Sequence, residues 1–72
     1  MLNPTKLQKP KLEHTHYSYK EKVYRVIDVV RTKDFSTREW LWAVLYKSEE
    51  DELPLCVRSW LEFNKRFYPI PF

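Results

Sequence analysis

Seventy-two residues carrying thirteen Lys and Arg against ten Asp and Glu, a net charge of +3, make at most one domain, because so short a chain buries only about 60% of its unfolded surface. That size argues against a large pre-formed catalytic cleft, and the mild positive charge favours weak attraction to phosphate without marking a dedicated polyanion binder. Hydrophobic residues at 43% and aromatics at 17% exceed what a disordered chain carries, so a folded core rich in aromatic rings is expected.

Residues 1–15 hold Pro4, Pro10 and the lysines Lys6, Lys9 and Lys11 with little apolar periodicity, which predicts a flexible basic arm. From His16 a weak alternation begins, and residues 23–32 (VYRVIDVVRT) are β-branched enough for a second strand. Strict alternation there puts Tyr24, Val26 and Val30 on one face and Val23, Ile27 and Val29 on the other. Residues 33–38 form a polar hairpin loop with Asp34, Ser36 and Thr37 as turn formers, followed by a third strand over 39–46.

The run Ser48-Glu49-Glu50-Asp51-Glu52 is too acidic to pack and predicts an exposed turn. A short fourth strand runs from Pro54 to Arg58. Ser59 and Glu62 have capping-box spacing, so one or two helical turns over 60–65 are expected. Pro69 and Pro71 forbid further helix, leaving 67–72 as an extended apolar tail that should dock on something. The absence of glycine predicts loops longer than two residues, since primed two-residue turns need positive φ.

The third strand is apolar on both sides, with Trp40, Trp42, Val44 and Tyr46 on one and Leu41, Ala43 and Leu45 on the other. The compact Leu-Ala-Leu set suits a tight barrel interior. The Trp-Trp-Val-Tyr stripe then needs a cover, because large apolar patches are seldom left bare. Trp60, Phe63 and the tail are the preferred cover, and an exposed platform for a partner, a second copy or stacked bases is the alternative.

The stretch Tyr19-Lys20-Glu21-Lys22-Val23-Tyr24-Arg25-Val26, with Arg31, Val44-Leu45-Tyr46, Val57-Arg58-Ser59-Trp60 and Phe63 at matching separations, resembles the small bacterial and phage family catalogued as domain of unknown function 1653. Its pattern is close to H-Y-K-G-K-x-Y-R-V, then a strand ending A-L-Y and a closing V-R-P-L-E-x-F. Here Ser18, Glu21 and Ser59 stand where the family has histidine, glycine and proline. The resemblance covers residues 18–63. It implies a small SH3-like β-barrel and supplies no activity.

No catalytic constellation assembles. Cys56 with His14 or His16 would be a thiol beside a base, but a thiol between Leu55 and Val57 on a strand reads as inert packing. His14 and His16 alone supply too few metal ligands. Lys6, Lys9, Lys11, Arg25 and Arg31 beside aromatic faces would suit single-stranded nucleic acid, although the acidic loop opposes it. That loop, as a phosphate mimic for a basic partner, is better read as a solvated turn.

The expectation is therefore a mostly β protein: an SH3-like antiparallel barrel of about five strands over 16–66 with a short C-terminal helix, a basic arm over 1–15 and a tail over 67–72. It should bind another protein without catalysis, metal or cofactor. Trp40, Trp42, Tyr17, Tyr19 and Arg58 are the expected contacts, because hot spots favour Trp, Tyr and Arg. Nucleic acid is the second reading and a homodimer is compatible with either. One cysteine and no apolar stretch of signal or membrane length place it in a reducing cytoplasm, of a bacterium or a phage-infected cell.

Overall fold

The computed structural model describes residues 8–50 and 54–71. It is mostly β, as expected, with five antiparallel strands and one short helix. The strands are β1 (His16–Tyr19), β2 (Lys22–Asp34), β3 (Glu39–Ser48), β4 (Cys56–Ser59) and β5 (Tyr68–Pro69), and the helix α1 (Trp60–Arg66) lies between the last two. The sheet order β4-β3-β2-β1-β5 leaves β4 and β5 as the two edges, so the sheet is curled but not closed by hydrogen bonds. The tail, expected only to dock, supplies the fifth strand at Tyr68–Pro69 through Tyr17↔Pro69 and Ser18↔Tyr68. A proline is tolerated there because this is an edge.

Strict alternation fails in β2 for one local reason. Val26 faces Tyr46 and Asp28 faces Leu45, so Ile27 has no opposite number and forms a β-bulge. The N–H groups around it find other acceptors: Val26 donates to the Thr15 carbonyl at 2.8 Å and Val29 to Asp28 Oδ1 at 2.7 Å. Beyond the bulge the facing residues change parity. Tyr24, Val26 and Val29 share the core side, and Val30 falls on the other, opposite Ala43.

The core side of β3 also differs from expectation. Val44 and Tyr46, at 0% and 5% exposure, lie in the core with Tyr17, Val29, Trp60, Phe63 and Phe67, while Leu41 and Leu45 are half-buried on the reverse. The interior takes the bulky stripe because α1 and the tail carry rings that fill it, and Leu-Ala-Leu could not reach across. Phe67 is packed against Tyr19 (4.6 Å), Tyr24 (5.4 Å), Tyr46 (5.1 Å) and Phe63 (4.3 Å) between ring centroids. Burial pushes the Tyr17 and Tyr46 phenols up in pKa, as expected for hydroxyls in a dry core.

Ser59 caps α1 through its Oγ, which accepts from Glu62 N–H at 3.2 Å. The reciprocal half of the expected box is replaced, because the Glu62 carboxylate takes Arg66 Nε at 2.7 Å. The helix stops at Phe67, whose N–H still reaches the Phe63 carbonyl at 2.9 Å, because Tyr68 precedes a proline. Of the arm expected to be flexible, residues 8–15 lie along the sheet: Leu12 packs on the core and Lys9 Nζ meets Asp28 Oδ1 at 2.9 Å. Lys6 lies outside the described residues.

The β1–β2 turn also departs from expectation. Tyr19 pairs with Lys22, so only Lys20 and Glu21 form the turn, at φ 49° and 66°, which is the primed geometry without glycine. Arg38, ending the β2–β3 turn, is likewise at φ 61°. Each non-glycine residue in this region costs roughly 1–2 kcal/mol, less the unfolded-state entropy that glycine would add. Glu21→Gly should therefore stabilise the domain by about 0.5–1 kcal/mol while Glu21→Val destabilises it, read as opposite shifts in the urea midpoint at constant slope.

Candidate functional site

The helix has seven residues, roughly 10 Å of cover, whereas the ten residues of β3 extend about 33 Å. The cover runs out before the β2–β3 hairpin does. Trp40 and Trp42 lie on the core side of this uncovered end, with Trp40 55% exposed and Trp42 half-buried against the core margin. The parity change at Ile27 delivers Arg31 opposite Trp42 and Lys33 opposite Trp40 on that same face. The Arg31 guanidinium carbon sits 4.5 Å from the Trp42 ring centre, a cation–π contact that orients both groups. Asp34 and Glu39 pair one position further on and so face the other way.

At the turn itself Phe35 is 85% exposed. It was hidden in the sequence inside a run of turn formers. The signal was its isolation: a ring flanked by Asp34 and Ser36 at a hairpin apex has no neighbours able to bury it. Asp34 Oδ1 ties the turn by accepting from Ser36 N–H at 2.9 Å and Ser36 Oγ at 2.6 Å. Those bonds, the side-chain one first, hold the Asp34 carboxyl below its ordinary pKa.

The five expected contact residues do not form one site. Tyr17 is 5% exposed in the core, edge-on to Phe63 at 5.0 Å, so it offers a partner no surface. Tyr19, paired with Lys22 at the far end of the sheet, lies 5.2 Å by its ring centre from Arg58, whose backbone pairs with Val44, four residues from Trp40. The span from Trp40 to Tyr46 along β3 is about 20 Å. Trp40 and Trp42 alone share a surface, joined by Arg31 and Lys33.

The expected basic stripe is dispersed as well. Lys9 is paired with Asp28, and Arg25 lies 3.6 Å from Glu49 Oε1. Arg25, opposite Lys47, faces away from the core side that carries Arg31. Lys11 lines a cavity of about 390 Å³ with Leu12, His14 and Trp60. His16 is bonded to Thr15 and Glu49 at 2.9 and 3.0 Å, His14 sits edge-on to Tyr17, and Cys56 Sγ donates to the Pro54 carbonyl at 3.6 Å. Among the described residues no group of three His, Cys, Asp or Glu could hold a metal ion, and no helix is long and apolar enough to cross a membrane.

No protein-family model, curated protein or solved structure matches this chain.

Because the bulge places Arg31 and Lys33, the groups that hold it matter to the surface. Asp28 is held below its ordinary pKa of 3.8 by the Lys9 hydrogen bond first, then by the Val29 N–H and the Lys9 charge. A depressed carboxylate stabilises the fold fully above its unfolded value and loses that contribution as pH falls through the lower folded value. Acid titration should thus shift the Val29 amide resonance with an apparent pKa below 3.8, and Asp28→Asn should abolish that titration.

Proposed function

We propose that this chain is a non-catalytic binding module that docks a partner protein on the uncovered end of its β2–β3 hairpin. The observation that carries this reading is the placement of Trp40, Trp42, Arg31 and Lys33 on one face at the hairpin end, where Trp40 is 55% exposed. Trp and Arg are the side chains that most often dominate binding energy. Here the guanidinium is already seated on an indole, so less side-chain freedom is lost on docking. The aromatic and cationic character suits a partner whose own surface is acidic at its rim.

Nucleic acid is the weaker reading, because Lys9 and Arg25 have carboxylate partners and Arg25 and Arg31 point to opposite sides of the sheet. A continuous phosphate track is what the stacking mode requires. Kinship with the domain of unknown function 1653 family is supported by one further detail. Glu21, which stands where that family has a turn glycine, adopts the positive φ that glycine would satisfy. That kinship and the lone cysteine favour the cytoplasm of a bacterium or phage-infected cell.

The test is capture by the tagged chain from lysate of its native host, with and without nuclease, in parallel with Trp40→Ala. One stoichiometric protein retained after nuclease and lost with Trp40→Ala is the expected result. Trp40→Ala should cost the fold under about 1 kcal/mol and binding about 2 kcal/mol or more, whereas Phe63→Ala, at a fully buried ring, should cost the fold about 3–5 kcal/mol. Loss of all captured material on nuclease treatment would make nucleic acid the ligand, and unfolding of Trp40→Ala would place that indole in the core.

A further inference from the structure

At the other end of the sheet the open side of the curl is bridged by side chains. Arg58 on β4 reaches across to Tyr19 on β1, its guanidinium carbon 5.2 Å from the Tyr19 ring centre and 5.6 Å from that of Phe67. Its Nε donates to the Tyr46 hydroxyl at 2.9 Å. A guanidinium has five N–H donors in a planar fork, and among the described residues only the Nε contact is spent. Among the described residues no carboxylate pairs with Arg58 or with Lys20.

Two more cations gather on the same tyrosine. Lys20 Nζ is 5.3 Å from the Tyr19 ring centre, and Arg66, whose Nε holds Glu62 at 2.7 Å, lies near enough for its charge to favour the Tyr19 phenolate. Partial desolvation would raise the Tyr19 pKa, yet Lys20, Arg58 and Arg66 together bring it below its ordinary value of 10.0. Among the described residues Glu62 is the carboxylate paired within this group. Arg58 and Arg66 repel each other, a cost that a bound anion would relieve.

We propose that Arg58, locked on the Tyr19 and Phe67 rings and flanked by Lys20 and Arg66, forms a binding site for a single phosphate-class oxyanion, either free or as a monoester. The ring contacts and the Nε bond to the Tyr46 hydroxyl hold the guanidinium in place in advance, and a positioned arginine fork suits a planar or tetrahedral oxyanion. Lys20 and Arg66 then supply charge from the sides, both from exposed positions at which a ligand can enter. Arg58, opposite Val44, is four residues or about 13 Å along β3 from Trp40, and the site stands whether or not the hairpin end docks a protein.

The full chain, isotopically labelled, is titrated with inorganic phosphate and in parallel with a simple alkyl phosphate monoester, at ionic strength held constant with chloride. Saturable shifts confined to the Arg58 Nε–H and to the Tyr19 and Lys20 signals are expected, and tighter binding of the monoester would assign an esterified ligand. Arg58→Lys keeps the charge but not the fork and should weaken phosphate binding about tenfold. Lys20→Gln and Arg66→Gln, at exposed positions, should each weaken it severalfold and keep the test decisive if Arg58→Lys unfolds. Shifts that do not saturate, that spread over all lysines, or that survive in Lys20→Gln and Arg66→Gln unchanged would overturn the site.

Discussion

One extra residue in one strand decides both what is core and what is surface. Side chains on a strand alternate strictly, so if Ile27 were paired in regular register the inner face of β2 would carry Tyr24, Val26, Asp28 and Val30. The bulge converts that series to Tyr24, Val26, Val29, Arg31 and Lys33. Val29 enters the core at 7% exposure, Asp28 turns outward to meet Lys9, and two cations arrive beside two indoles. A bulge bends and twists its strand more strongly than regular pairing does, which also helps β2 curl enough for β1 and β4 to approach across the mouth.

That approach is completed by packing instead of by a backbone ladder. The edges β4 and β5 do not pair, and an SH3-like barrel open in this way would expose its interior. Phe67 fills the gap, in ring contact with residues of β1, β2, β3 and α1. It can do so because Pro69 ends the helix and turns the chain back onto β1, with Ile70 N–H on the His16 carbonyl at 2.9 Å. Arg58 then lies over the outer side of the same rings, so one aromatic layer supports the core below and a fixed guanidinium above.

The strands, the capped helix and the docking tail were legible because each has a local cause: β-branched runs, Ser59 three residues before Glu62, and Pro69 after a helical stretch. The inner face of β2 was not, because a bulge carries no composition of its own. Ile27 and Asp28 read as ordinary strand residues until Thr15 and Lys9 come in from the arm. The two-residue turn at Lys20 and Glu21 was missed for a related reason: the strand register imposed by the aromatic core overrides the local cost of positive φ. Trp40 and Trp42 were legible as an apolar stripe, but their exposure depends on α1 having seven residues against ten in β3, a comparison of lengths across the fold. Tyr17 was misplaced because period-two reasoning gives a face and not a depth.

The hairpin end is also the part of the sheet with least support behind it. Past Trp42, the last residue of β3 on this side packed against the core, the ladder relies more on cross-strand pairs worth roughly 0.2–1 kcal/mol each. Arg31 with Trp42 is such a pair, and so is Lys33 with Trp40. Asp34 opposite Glu39 works against them, since like charges directly opposed destabilise a ladder, and Arg38 adds positive-φ strain at the turn. The same side chains therefore hold the ribbon together and present it to solvent. Local opening follows low local stability, which makes this end easier to open than the end packed around Phe67. A ligand that buried Trp40 and Trp42 would be stabilising the weakest strand pair in the molecule, and part of its binding energy would go into ordering the ribbon that recognises it.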